Sequence, residues 1–421
     1  RAQVQRYPDL FFWPGFLALS ALLFLPLYLL NSESSTLLPP RSLFDDGLRM
    51  GVNRLLLWRD NLDPVRLPLE FTVLLALWSN LRWFRRPAWR ALIVVLYLLA
   101  LVYACYEAVV VSIYHLDPVF YSQYFLARDG LPFLASHLQN SGWLYLGLGG
   151  LLVVALWLIG GAVPLLLESA AQARLHWWTR LSLATLAGLG LWVGLRYQYY
   201  TARPEMVVSS LAYKLEENIA ASLRLRHDIA SFDDSQVRRA YDYTPYQLQQ
   251  KPNIYLIFIE SYGSVLYKRT DFRRFYLALL AELEMQLRTA GWQSATALSE
   301  SPTWGGGSWM AYTSLLFGLR IDSHPQYLAL LNKYQVEQYP NLGRYLQSQG
   351  YYYAWVSSIT DELDDQMWAK YVRFLGVDEW LRYRDLSYNG ARYGWGPAPP
   401  DQYTLNYANE LLHQRTKQPL L

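Results

Sequence analysis

Residues 251–263 read KPNIYLIFIESYG, and the reading of this stretch decides the fold of everything after it. Asn253 to Ile259 is an unbroken apolar run of strand length between Pro252 and Ser261. That is the pattern of a strand buried on both faces of an α/β sheet. Glu260 closes the run. Ligands of open α/β sheets bind at the carboxyl ends of strands, where a carboxylate can reach a cation without burying its charge unpaired.

The second informative stretch, residues 299–319, reads SESPTWGGGSWMAYTSLLFGL. Gly305, Gly306 and Gly307 let the backbone turn sharply and approach a ligand, and Ser308 opens an apolar, helix-length segment ending at Phe317. Ser308 is therefore a candidate nucleophile at a helix N-terminus. Backbone N–H groups there favour a phosphate anion, and a neighbouring divalent cation would lower the hydroxyl's pKa. A serine at this place also serves as an ordinary helix cap, and a strand-terminal glutamate as a solvated edge. The order of acid-ended strand, glycine turn, serine and helix is what makes the pair specific. Thr303 is the alternative nucleophile if the glycine turn runs differently.

These motifs resemble the alkaline phosphatase and sulfatase superfamily, in particular its membrane-bound lipoteichoic acid synthase and phosphoethanolamine transferase branch. The pieces that carry the resemblance are PNIYLIFIES, GGGSW, YPNLGRYLQSQGYYYAWVSS at 339–358 and GWGPAPPDQYTLNYANELL at 394–412. It implies about five transmembrane helices joined to an extracytoplasmic α/β domain with a mostly parallel sheet. It also implies one divalent metal, Mn or Zn, held by Glu260 and Ser308, with Ser308 as the nucleophile. The related synthases carry substrate-contacting residues where this chain has QMWAK, which makes Trp368 and Lys370 candidate substrate contacts beside Asp361, Asp364 and Asp365. His324, in RIDSHPQY, is a further candidate. Two departures qualify the resemblance. The family completes its metal site with an Asp-His pair and a further His, no Asp-His dipeptide occurs before Leu421 and the chain begins at Arg1, so both ends are expected to be trimmed. Ser308 is followed by Trp309, Met310 and Ala311, which does not fit the C/S-x-P-x-R context of sulfatases and favours phosphoryl chemistry.

Composition supports a two-part layout without reference to any family. The 421 residues have a mean hydropathy of +0.03, high for a soluble enzyme and low for an all-membrane protein. Apolar windows at 10–30, 67–84, 89–114, 143–167 and 178–197 approach or exceed the ~18 residues needed to cross hydrocarbon. The second is interrupted by Glu70, Ser79 and Asn80 and is the weakest of the five, with an interfacial helix as its alternative. The expected layout is a transmembrane domain over 1–200, an amphipathic helical linker over 201–250 lying at the outer membrane surface, and a C-terminally incomplete catalytic domain over 251–421. Within the last, the pattern predicts strands at 252–260, 292–299 and 351–358, and helices at 271–290, 308–318, 340–350, 364–375 and 400–415.

Arg82, Arg85, Arg86 and Arg90 crowd between the second and third windows, so the positive-inside rule makes that loop cytoplasmic and everything after Tyr197 external. The first window lacks a small-residue cleavage site before Asn31 and reads as an uncleaved anchor in a bacterial cytoplasmic membrane. The single cysteine, Cys105, excludes an intrachain disulfide and a multi-cysteine zinc site and is expected to pack within its span. Glu107 lies 17 residues after Arg90, about 25 Å along a helix. It is expected either to reach water or to face a lipid headgroup or the outer domain. A net charge of +3, with no basic stretch interleaved with aromatics, argues against nucleic acid.

The function expected is transfer of a phospho-substituted headgroup from a phospholipid donor to a glycan acceptor of the cell envelope. A phosphatase or phosphodiesterase using water, and a catalytically silent lipid-sensing or scaffold protein, are the alternatives. The orientation is testable directly. Tags placed after Tyr197 are expected to be accessible from outside intact spheroplasts and a cysteine at Arg86 inaccessible; labelling of both from outside would refute the five-span topology.

Overall fold

A long apolar segment in a low-dielectric setting can satisfy its backbone only internally, and the first half of the chain answers with helices. The computed structural model describes residues 7–31, 41–57, 64–125, 127–128, 142–200, 207–259, 263–303, 306–358, 365–393 and 398–421. The described chain is mostly helical with small parallel sheets, and it divides into two compact units, Arg1–Arg226 and His227–Leu421.

The first unit contains α1 (Pro8–Leu30), α2 (Leu48–Leu57), β1 (Leu67–Pro68), α3 (Leu69–Asn80), α4 (Pro87–Tyr114), α5 (Gly142–Ala171), α6 (Trp177–Tyr200), β2 (Val208–Ser209) and α7 (Leu211–Ala230). Helices α1 and α4 are long and apolar enough to cross a membrane, with 23 and 28 residues. Both start on a proline, whose fixed φ and missing N–H suit a first helical turn. Windows 143–167 and 178–197 fall within α5 and α6.

The window 67–84 forms only the 12-residue α3, about 18 Å long, less than the ~30 Å of a hydrocarbon core. Arg85 explains the early stop. Its guanidinium donates to Trp78 O at 2.9 Å, Ser79 O at 2.5 Å and Ala171 O at 2.9 Å, capping the carbonyl ends of α3 and α5 together.

The core of this unit is built from Phe12, Phe16, Leu75, Ile93, Val163 and Leu183. Polar ties hold its helices in register: Tyr97 donates to Leu19 O at 2.8 Å, Trp78 to Leu167 O at 2.8 Å and Ser169 to Pro8 O at 2.7 Å. Two carboxylates cap helices distant in sequence. Asp9 accepts from Thr179 Oγ1 at 2.6 Å at the start of α6, and Glu70 accepts from Ser210 Oγ at 2.6 Å and from Leu211 and Ala212 N–H at 3.0 Å at the start of α7. Contrary to expectation, Cys105 is exposed on α4 rather than packed. Glu107 is 3 % exposed, with both oxygens 2.6 Å from Lys214 Nζ, so it meets a cation of α7 rather than open water.

The second unit contains α8 (Ser235–Ala240), α9 (Val265–Lys268), α10 (Thr270–Thr289), α11 (Ser308–Phe317), α12 (His324–Tyr334), α13 (Leu342–Ser348), β3 (Ala354–Val356), α14 (Asp365–Leu375), β4 (Glu379–Leu381) and α15 (Asp401–Arg415). Strands β3 and β4 pair in parallel with Ala354 opposite Glu379. The pairing continues on the other side of β3. Leu421 N–H donates to Tyr352 O at 3.0 Å, Ala354 N–H to Leu421 O at 2.8 Å and Ile254 N–H to Leu420 O at 2.8 Å, so 419–421 lies between 253–254 and 352–354.

Two expected strands do not form. Residues 251–259 are held at Asn253 and Ile254, but their apolar continuation is open, with Ile257 58 % and Ile259 70 % exposed. Residues 292–299 are also irregular, with Leu298 73 % exposed. A strand needs a ladder on at least one edge and a covered face, and the described residues supply neither beyond Ile254. Helix α12 was not anticipated; Gln326 starts it by accepting Ser323 N–H at 3.2 Å.

The core here is a stack of Phe317, Tyr334, Tyr339 and Phe374. Asp234 anchors it, accepting from Arg238 Nε at 2.6 Å, Lys333 Nζ at 3.3 Å and the Tyr334 hydroxyl. Burial alone pushes this carboxyl up, and the hydrogen bonds from Tyr334, Arg238 and Lys333 outweigh it and hold the group down at about 2. A lowered folded-state pKa contributes stability that is present above the ordinary value and is lost as pH falls through the folded one. Asp234→Asn is expected to cost about 2 kcal/mol at pH 7 and to remove the part of acid destabilisation between pH 3.8 and about 2. Denaturant titration followed by tryptophan fluorescence at both ends of that range checks it, and a variant as stable as the parent at pH 7 would refute the anchor.

Candidate functional site

The turn before α11 is built on two successive left-handed residues. Gly306 and Gly307 both have positive φ, +67° and +68°, a region side-chain-bearing residues enter at a cost. Gly307 is the N-cap of α11, so Ser308 is its first helical residue rather than the cap. Met310 N–H turns back to Gly307 O at 2.9 Å. The N–H groups of Ser308 and Trp309 therefore sit at the open end of a ten-residue helix. Ser308 is half-buried, and among the described residues nothing hydrogen-bonds to its hydroxyl. Gly318, at φ +64°, ends the helix and its carbonyl accepts from the Tyr241 hydroxyl at 2.7 Å.

Thr303 lies against the same turn. A Cβ on Gly307 would stand 3.7 Å from Thr303 Cγ2, and the Thr303 N–H donates to Ser301 Oγ at 3.3 Å. His324 reaches the site through Trp309, its ring 5.8 Å from the indole and edge-on to it. Ser308, Thr303 and His324 are thus brought to one region by α11 and α12. Glu260, Asp361 and Asp364 lie outside the described residues, while Phe258 packs on Tyr312 of α11 at 5.6 Å between ring centres.

The other two candidates part company. Lys370 donates to Asn332 Oδ1 at 2.9 Å, tying α14 to α12. Trp368, two residues back and on another face of α14, is 6 % exposed and meets Trp380 edge-on at 4.7 Å. The cation over the Trp368 ring is Arg382, at 5.3 Å. Arg382 follows β4 directly and donates to Asp365 at 3.0 Å, joined there by Arg384 at 3.4 Å. The hydrogen bond from Arg382, with the charge of Arg384, holds the exposed Asp365 carboxyl below its ordinary range.

Between the Ser308 helix and this cluster runs a wall of rings: Tyr312 against Trp355 at 5.2 Å, then Trp355 against Trp380 at 5.5 Å. The sequence reading missed Tyr312, Trp355, Trp380 and Arg382. The signal was present in part, since Tyr312 is one turn beyond Ser308 and Trp355 sits in the 351–358 segment. The pairing of β3 with β4 that brings Trp380 and Arg382 alongside was not.

No family model matches the chain, and neither a curated protein nor a solved structure matches it.

The roles of the two turn residues separate in a stability measurement. Gly307→Ala forces a Cβ into positive φ, 2.6 Å from the Met310 methyl, and is expected to cost about 1–2 kcal/mol. Ser308→Ala, removing no cap, is expected to stay within about 0.5 kcal/mol of the parent. Thermal or denaturant midpoints of the two variants check this, and the reverse order would refute the turn geometry.

Proposed function

We propose that the chain is a membrane-anchored phospho-group transferase of the alkaline phosphatase and sulfatase type, with Ser308 as its nucleophile. The observation that carries the reading is the Gly306–Gly307 turn, which delivers Ser308 to the first position of α11. Support also comes from α1 and α4, which among the described residues are long and apolar enough to cross a membrane, and from the parallel pairing around β3. In this reading the chain is multi-pass, with five spans and an external domain of mostly parallel α/β architecture.

The chemistry assigned to the chain's own residues is short. A phosphodiester oxygen is held by the N–H groups of Ser308 and Trp309 at the positive end of α11. Ser308 Oγ attacks phosphorus, the bond from phosphorus to the lipid oxygen breaks, and the serine proton leaves so that diacylglycerol departs neutral. A hydroxyl of the glycan acceptor then attacks the same phosphorus, the bond from phosphorus to Ser308 Oγ breaks, and the acceptor's proton passes to the serine oxygen. A divalent metal, Mn or Zn, would screen the phosphate charge. Of its expected donors Glu260 lies outside the described residues and Ser308 is described. Among the described residues no three His, Cys, Asp or Glu side chains converge, so the described donor set does not itself define that centre and none of these steps is routed through it.

Ser308→Ala is expected to abolish turnover of a headgroup-labelled phospholipid by the native protein in membranes, by several orders of magnitude, with stability retained. Mass spectrometry of the parent after incubation with lipid is expected to find a phosphoglycerol or phosphoethanolamine adduct on the Ser308 peptide. Transfer at the parental rate by Ser308→Ala would refute the assignment and turn attention to Thr303.

A further inference from the structure

Helix α7 carries its polarity in an order that water alone does not explain. Ser210, Lys214, Asn218 and Ser222 recur at a spacing of four and form one stripe along it. Every member is engaged by the first unit. Ser210 donates to Glu70 at 2.6 Å, Lys214 to both oxygens of Glu107 at 2.6 Å, Asn218 Oδ1 accepts Phe120 N–H at 2.6 Å, and Ser222 Oγ accepts Tyr121 N–H at 3.2 Å. Asn218 is 2 % exposed and Glu107 3 %. The helix therefore buries its polar stripe.

About 100° round the helix, one residue on from each of these positions, lies a second stripe, Leu211, Leu215, Ile219 and Leu223. Leu211 and Leu215 are half-buried, and further along the stripe opens outward, with Ile219 50 % and Leu223 61 % exposed. The remaining side carries Glu216, Glu217 and Arg224, all exposed, with Arg224 3.9 Å from Glu217. A surface helix in water turns its apolar stripe inward and its polar stripe out. Here the arrangement is reversed on one side and ordinary on the other, which gives the helix a docked side, an apolar side and a charged side.

The level of docking says what covers the apolar side. Lys214 meets α4 at Glu107, seven residues before its end at Tyr114, about 10 Å short of it. Around that level α4 itself exposes Val102, Val109 and Ile113, at 60 %, 47 % and 49 %. We infer that α7 is an in-plane membrane helix, docked on the first unit through its polar stripe, with Leu215, Ile219 and Leu223 against the acyl chains of one leaflet and Glu216, Glu217 and Arg224 towards its headgroups and water. A helix with one apolar and one charged side is built for that boundary. The inference rests on α4 crossing the membrane.

The test is nitroxide labelling of single cysteines in a Cys105→Ser chain reconstituted into vesicles of phosphatidylcholine and phosphatidylglycerol. Collision rates with oxygen, which concentrates in lipid, are compared with those of a water-soluble nickel chelate. Labels at Ile219 and Leu223 are expected to favour oxygen several-fold, as a control label at Val102 does, and a label at Glu216 to favour nickel. Nickel-dominated labels at Ile219 and Leu223 beside an oxygen-dominated Val102 would overturn the placement of α7 alone. A nickel-dominated Val102 would overturn the membrane reading of α4, and the inference with it.

Discussion

A carboxylate on an apolar helix must meet a counter-charge or give up its own, and Glu107 meets Lys214 with both oxygens at 2.6 Å. Desolvating two charges is costly, and the pair is tolerated because its geometry is close and its surroundings polar: the Tyr103 hydroxyl donates to Lys214 O at 3.4 Å. Removing one partner of such a pair typically costs about 3–5 kcal/mol, since the other is left buried and charged. That constraint places α7. With Lys214 committed to α4, the spacing of four carries Asn218 and Ser222 onto Phe120 and Tyr121, and the Glu70 cap fixes the start of the helix. The outward face of α7 is then no longer a free choice, and Leu215 is left half-buried and Ile219 and Leu223 exposed because the polar stripe is engaged.

The same economy of carboxylates and cations runs through the first unit. Asp9 starts α6, Glu70 starts α7, and Arg85 ends both α3 and α5. Charges that read in sequence as interruptions or as topological markers serve as helix caps between segments far apart in the chain. Arg85, in the arginine-rich turn, is therefore structural.

In the second unit the corresponding constraint is backbone conformation. Two successive glycines at positive φ bring Ser308 to the first position of α11, and Phe317 at the far end of that helix stacks on Tyr339 at 4.7 Å between ring centres. The helix carrying the candidate nucleophile is thus anchored by its apolar end and left open at its polar end. Across it, Tyr312, Trp355 and Trp380 form a continuous ring surface from α11 over β3 to β4. The serine and the Arg382 cluster lie at opposite ends of that surface.

Sequence by itself determined the helices whose signals are local. The apolar windows 10–30 and 89–114 became α1 and α4, the Gly-Gly-Ser sequence the start of α11, and the segments 364–375 and 400–415 became α14 and α15. These depend on propensity, capping and glycine's freedom in φ, all of which act within a few residues. What depended on distant partners was not legible. The run 253–259 has the composition of a buried strand, yet a strand is defined by its neighbours, and only Asn253 and Ile254 find one, in Leu420. Trp368 and Lys370 read as a pair of candidate substrate contacts, but Lys370 turns to Asn332, and Arg382 lies over the Trp368 indole because β4 pairs beside β3. Glu107 looked like an acid seeking water, and only the packing of α7 on α4 supplied Lys214, because a charge's partner is set by distance in space and not by distance along the chain.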